Sequence, residues 1–270
     1  MTQRLPALFL GHGSPMTTIT DGPERRAWQA LGRTVPRPRA ILAITAHWET
    51  HGRTHLTIGD HPRTIHDFRG FPQELYDIRY PAPGSDWLIK RVEALLGKDR
   101  VVRDENWGFD HGAWGVVLPM YPDADIPLVA MSLDRALLPA EHLALGERLA
   151  SLRDEGVLIV ASGNIIHNLA LWRQAAGTQP EWALAFRDKI NTALEAGDRA
   201  ALVAAAEGRD ENAALAVNSG EHFFPLLYAA GVRLPGDEVA IFNDTLDGAL
   251  SMTSVGFGDP GIALKAQTWC

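Results

Sequence analysis

The chain has 270 residues, 46% of them hydrophobic, and a net charge of −8 with histidine counted as neutral. That is ample apolar material for a large buried core, while the acidic balance argues against nucleic acid or an anionic membrane as partner, since either wants a basic footprint. Cys270 is the one cysteine, which excludes an intrachain disulfide and any zinc site built on two or more thiolates, and makes a reducing cytoplasm the expected setting.

Residues 7–10 form a short apolar run ending at Gly11. The run predicts a buried strand, and with Pro6 inside the preceding stretch it is too short for a signal-peptide core. No stretch approaches the roughly 20 apolar residues of a membrane span. A helix is expected over 23–31, with Pro23 in its first turn, then a second buried strand over 40–46 that ends at His47, and a third over 54–58. Residues 61–75 read as a long irregular loop carrying Pro62, Gly70 and Pro72, the kind of loop that often serves function. A strand is expected over 75–80 and a helix over 86–96 capped by Ser85. Further on, strands are expected over 127–131 and 157–161, the latter stopping at Ser162–Gly163, with an amphipathic helix over 139–152 between them. Residues 181–216 are helical and Ala-rich with breaks at Gly197 and Gly208; a helix opens at His222 and runs to 230; late strands fall over 239–243 and 252–257. Apolar strands alternating with helices predict one α/β domain over 1–270, with a mostly parallel central sheet covered on both faces.

In open α/β sheets ligands bind beyond the carboxyl ends of the strands. His12, His47 and His167 each follow a predicted strand, His222 opens a predicted helix, and His111 lies between flexible glycines in GFDHGAWG. Neutral imidazole suits zinc and iron alike, and ligands from separate strand ends can converge without being neighbours in sequence. The spacing alone is not diagnostic, because no HExxH motif sets two ligands on one helical face. A lone strand-end histidine is more often a hydrogen-bonded loop residue, and that plain reading is adopted for His51, His55 and His61, among Glu49, Arg53 and Asp60, and for His142, expected to be solvated on a helix with charged neighbours. For His12 and His47 together the plain reading is weaker, because both interrupt apolar runs at the same relative place. Ser14 and Ser162 lack a G-x-S-x-G elbow, and Gly11, Gly13 and Ser14 alone are weak grounds for an anion site. Trp48, Trp107, Trp114, Phe68 and Phe71 are core by default, yet several cluster around the candidate ligands, as in an apolar pocket that holds a ring.

Six ordered blocks carry a family resemblance: GHGSPM at 11–16, ITAHWE at 44–49, the loop at 64–84, the segment at 108–134, GNIIHNL at 163–169 and EHFFPLLYAAG at 221–231. Together they resemble the class III extradiol dioxygenases, in particular the 4,5-DOPA branch related to the catalytic subunit of protocatechuate 4,5-dioxygenase. The resemblance implies an enzyme that opens a catechol ring with O2 at a mononuclear non-heme metal. His12 and His47 match the two metal-binding histidines. The third ligand falls at His222 or its neighbour Glu221, and His222 is favoured. His167 matches a histidine that in related enzymes is either a catalytic acid/base or a fourth metal ligand, and His111 matches a second pocket histidine. Ser14 and His66 are taken as substrate contacts. Iron(II) is expected for activity, since zinc has no redox chemistry, while zinc is expected in the isolated protein because it outcompetes iron(II) for nitrogen donors.

The rival readings are a tetrapyrrole metal chelatase, which shares the strand–Gly-His-Gly-Ser turn, a zinc-dependent hydrolase using the same histidines, and a non-catalytic metal-binding protein. The physiological catechol stays open, and a homo-oligomer is compatible with the sequence. Arg63, Arg69 and Arg79 could hold a substrate carboxylate but are read first as surface residues.

Overall fold

The computed structural model describes residues 4–258. β1 (Ala7–Gly11) is buried throughout. A 3-10 turn at Pro15–Thr18 follows, and Pro23 opens α1 (Pro23–Thr34), where its missing N–H costs no helical bond. β2 (Ala40–Thr50) runs past its expected end and carries His47 inside it, with an irregularity in its pairing between Ile44 and Glu49. Bulges of this kind re-aim side chains and recur beside active sites.

β3 (Thr54–Thr57) is followed by the long loop and by α2 (Gln73–Asp77), a helical turn where a strand over 75–80 was expected. Pro72 starts that turn, and buried Leu75 anchors it. Ser85 caps α3 (Asp86–Leu96) by accepting from the Leu88 N–H at 3.2 Å. β4 (Val101–Asp104) leads to α4 (His111–Met120), β5 (Leu128–Asp134), α5 (Pro139–Leu149) and β6 (Val157–Gly163). The chain then forms α6 (Leu169–Ala175), α7 (Glu181–Ala196), α8 (Arg199–Ala206), α9 (Glu211–Val217) and α10 (Phe224–Gly231). It closes with β7 (Glu238–Phe242), a small hairpin of β8 (Leu246–Asp247) and β9 (Leu250–Ser251), and β10 (Ser254–Gly258). The breaks expected at Gly197 and Gly208 separate α7, α8 and α9. His222 sits in the turn just before α10 instead of opening it.

The main sheet has the order β4-β3-β5-β2-β6-β1-β10-β7. Its four central strands, β5, β2, β6 and β1, are parallel, and antiparallel pairings join β3 to β5, β1 to β10 and β10 to β7. Buried side chains alternate along the strands between two cores. One contains Leu8, Leu10, Ile41 and Val160 packed with residues of α1 and α4. The other contains Phe9, Leu42, Ile44 and Ile159 packed with α3, α5 and α7 to α10. Helices therefore cover both faces, as expected for strands apolar on both sides. Among the described residues no helix is long and apolar enough to cross a membrane.

Two sequence readings fail for packing reasons. His142 is not solvated: it is 0% exposed, stacks on Phe224 with ring centroids 4.7 Å apart, and lies 3.1 Å from the Tyr228 hydroxyl. Its charged neighbour Glu141 points along the helix end to cap Leu138, while the next residue turns inward onto α10. The glycines around His111 do not make turns. Gly112 and Gly115 belong to α4, capped by Asp110, whose Oδ1 accepts the Ala113 N–H at 3.1 Å, and Gly108 lies in the segment before it. A Cβ at Gly112 would collide with Thr45 Oγ1 and lie 2.9 Å from the His47 ring, so glycine lets this helix rest against β2.

Candidate metal centre

The carboxyl ends of β1, β2 and β6 deliver the histidines. His12 follows β1 directly, and its N–H bonds the Gly163 carbonyl at 3.1 Å. His47 projects from the irregular end of β2. His222 is brought in by the turn before α10, which crosses β6 at Gly163, where any Cβ would overlap the His222 carbonyl. His12, His47 and His222 place ligand atoms within 4.8 Å of one another. His111 joins them, its ring centroid 4.0 Å from that of His47 and 5.5 Å from that of His12. His167 lies flat on His222, with centroids 3.4 Å apart and planes within 8°.

Each of the three converging histidines has its Nδ1 tied outward. His12 Nδ1 is 2.8 Å from Ser162 Oγ, His47 Nδ1 is 3.2 Å from Asp67 Oδ2, and His222 Nδ1 is 2.9 Å from Glu221 Oε1. The carboxylates beside Nδ1 of His47 and His222 favour the proton there and leave Nε2 as a lone pair, the usual support of a metal-binding histidine, and the Ser162 hydroxyl can accept from Nδ1 of His12 in the same way. His12 Nε2 and His47 Nε2 approach to 3.1 Å. Two lone pairs so close repel unless a proton or a cation lies between them, and a cation at about 2.0–2.1 Å from each nitrogen fits that spacing. The donor set therefore suits a divalent metal. The electrostatics agree: burial, then the neighbouring imidazoles, holds His12 and His222 well below the usual histidine range, and burial brings His167 to about 4. All three are neutral at pH 7, the form that binds metal.

Two carboxylates stand behind His47. Burial alone would raise Asp67, but hydrogen bonds from His111 and His47 outweigh it and hold the group well below the usual carboxylate range. Asp110, fully buried, is pushed up to about 6 by desolvation and by the charge of Asp67. Asp110 accepts from Thr45 Oγ1 at 2.8 Å and from the Trp107 indole at 3.1 Å, and Thr45 Oγ1 in turn receives the His47 N–H at 3.1 Å.

The remaining expected site residues lie farther out. Ser14 is exposed, and its hydroxyl accepts the Met16 N–H at 3.3 Å to start the 3-10 turn. His66 Nε2–H donates to the Ile78 carbonyl at 3.1 Å, and its ring meets Phe68 edge-on at 5.8 Å. Phe68 contacts His111 at 5.6 Å, so His66 stands one ring behind the cluster. Of the arginines, Arg63 bonds the Asn106 carbonyl and Arg79 the Tyr76 and Ile78 carbonyls. Sequence reasoning passed over Asp67, Asp110, Thr45 and the hydroxyl of Ser162 as partners of the histidines. The signal available for Asp67 was its place between His66 and Phe68 in the functional loop.

A family model described as the catalytic LigB subunit of aromatic ring-opening dioxygenase matches residues 6–246, a span that takes in all five clustered histidines. The chain belongs to the LigB family. Within and around it, the chain is 46% identical to 4,5-DOPA dioxygenase extradiol of Escherichia coli K12, over 94% of this chain and 95% of that protein. It is 38% identical to 4,5-DOPA dioxygenase extradiol of Beta vulgaris, over 90% and 92% of the two chains, and 33% identical to dioxygenase tasH of Hapsidospora irregularis, over 88% and 81%. A crystal structure of an uncharacterized Escherichia coli K12 protein superposes with a TM-score of 0.81 at 41% identity, covering 94% of this chain and all 100% of the other. LigB enzymes open aromatic rings with oxygen, and His12, His47 and His222 form a group that could hold a metal ion.

Proposed function

We propose that this LigB enzyme opens the ring of a DOPA-like catechol, with His12, His47 and His222 holding one divalent metal and His167 and His111 handling protons and substrate orientation. The observation that carries the reading is the convergence of one ring nitrogen from each of His12, His47 and His222, with His167 and His111 beside them. His12, His47 and His222 would hold iron(II), which would supply the Lewis acidity that lowers a catechol pKa and the redox chemistry that zinc lacks. His167 is assigned the proton chemistry because of its stacking. Two imidazoles lying parallel at 3.4 Å cannot both aim in-plane lone pairs at one ion, so His222 takes the ligand role and His167 is left to accept the first catechol proton and return it later. A buried neutral imidazole is suited to accept that proton once the catecholate and metal bring charge into the site. His111 and the edge of Phe68 line the side where the ring would lie. Zinc is expected to fill the site in isolated protein by the affinity order. The single cysteine accords with a cytoplasmic setting.

The test strips the metal, reloads anaerobically with iron(II) or zinc, and follows O2 uptake with a panel of catechols, DOPA among them. One ring-opened product should form per O2 consumed under iron(II), with uptake lost in His12→Ala. His167→Gln should retain the metal and lose turnover. No uptake with any catechol under iron(II), despite tight metal binding, overturns the ring-opening assignment for that panel, and loss of metal in His167→Gln makes His167 a ligand.

A further inference from the structure

His47 and His111 come from different elements and, on the reading above, do different work, yet one oxygen meets both. Asp67 Oδ2 lies 2.9 Å from His111 Nδ1 and 3.2 Å from His47 Nδ1. Asp67 Oδ1 accepts the backbone N–H of His111 at 2.9 Å, in the first turn of α4. The loop that presents the carboxylate is pinned on the same helix end. Ile65 N–H bonds the Phe109 carbonyl at 2.7 Å, and the Trp114 indole donates to the Ile65 carbonyl at 2.9 Å. The side chain of Asp67 is 14% exposed, so water offers little alternative partnership.

An ionised carboxylate only accepts hydrogen bonds. Two Nδ1 atoms around one such oxygen must each bring a hydrogen, which fixes each ring, in its neutral form, as the Nδ1–H tautomer and leaves its Nε2 as a lone pair. We propose that Asp67 is a positioning residue that sets the tautomers of His47 and His111 together. Metal affinity, through His47, and turnover, through His111, then depend on the same carboxylate. The metal and turnover halves rest on the function proposed above; the tautomer half does not.

The first measurement is made on metal-free protein at pH 7.5, by long-range 1H–15N correlation of the histidine rings, assigned with His47→Gln and His111→Gln. Both rings should show the Nδ1–H pattern. Asp67→Asn keeps the shape but replaces one acceptor oxygen with an amide donor, so at least one of the two rings should change to the Nε2–H tautomer. In the same variant zinc affinity, read by chelator competition, should fall by about 10–100-fold, the usual effect of removing such a partner. With iron(II), kcat should fall while KM changes little. In the His111→Gln background, Asp67→Asn should still weaken metal binding but lower kcat by less than it does alone, because the two residues act through one contact. An Nε2–H pattern at either ring of the wild-type protein overturns the proposal without recourse to any variant. Unchanged tautomers with metal affinity within threefold of wild type in Asp67→Asn also overturn it. So does a second equivalent of zinc lost with Asp67, which would make the carboxylate a ligand. Failure of every catechol to consume O2 would remove the ring-opening reading and leave the tautomer result intact.

Discussion

Replacing Ser162 by alanine isolates what one hydroxyl does for the metal centre. Ser162 is 1% exposed, and its Oγ sits 2.8 Å from His12 Nδ1, in a site where His12 itself is 3% exposed. Water has little access to replace the lost oxygen. A buried N–H left without an acceptor costs about 1–3 kcal/mol, and at about 1.4 kcal/mol per tenfold that corresponds to roughly 5- to 150-fold in binding. The ring can escape the cost by moving its proton to Nε2, but in that form it cannot bind the ion. Either way the penalty falls on the metal complex, and about 10–100-fold weaker zinc binding is expected. β6 pairs with β1 and β2 through its backbone, so the apo fold should survive with a small change in Tm. The assay is competition with a chromophoric chelator at fixed pH, alongside the thermal midpoint of the apo protein. Ser162→Thr, which retains a hydroxyl, should bind metal more tightly than Ser162→Ala. Zinc affinity in Ser162→Ala within threefold of wild type would refute the reasoning.

Three further outcomes follow from the packing and the site. Arg153 is 0% exposed and its guanidinium is bound by Asp237 and by the carbonyls of Leu5, Val232 and Phe257; Arg153→Met should cost about 3–5 kcal/mol by stranding the buried Asp237, read as a lowered urea midpoint. Burial lowers His142 from 6.5 to about 4, so the unfolded chain takes up the proton first and stability present above pH 6.5 is lost as pH falls toward 4. His142→Leu should therefore lose about 2 kcal/mol less than wild type between pH 7 and pH 5, measured by denaturant titration at the two pH values; equal losses would show that His142 is not held neutral. Removing the metal with a chelator should abolish O2 uptake and lower Tm, and a free metal concentration 100 times Kd should restore about 2.7 kcal/mol, seen by calorimetry as a rise of several degrees.

The central strands were legible because apolar runs such as LFLG and VLIVASG admit little else, and the five clustered histidines stood out because they interrupt or follow such runs. What the sequence concealed was direction. In α5, Glu141 and His142 are adjacent and both polar, yet one caps the helix and the other is buried against Phe224 and Tyr228; only the partner helix decides which. GFDHGAWG looked like turns because glycine weakens helices on its own, whereas α4 needs small residues to lie close to Thr45 and His47. Asp67, Ser162 and Asp110 were missed for a related reason. A residue that acts on a histidine from a distant segment leaves no periodic trace, and its role exists only once β1, β2 and the loop before α2 have been brought together.

The placement of β1 has a consequence for how the enzyme is made. Its two neighbours in the sheet, β6 and β10, are formed from residues 157–163 and 254–258. The first apolar strand to emerge during synthesis therefore stays without its edge partners until most of the chain has been produced, a window in which unpaired strands invite aggregation. His12 waits with it, and the third converging nitrogen arrives only at residue 222. If His12, His47 and His222 hold the metal as proposed, the centre is complete only once residue 222 has been made, and a chain stopped short of α10 would carry the first two histidines without the third.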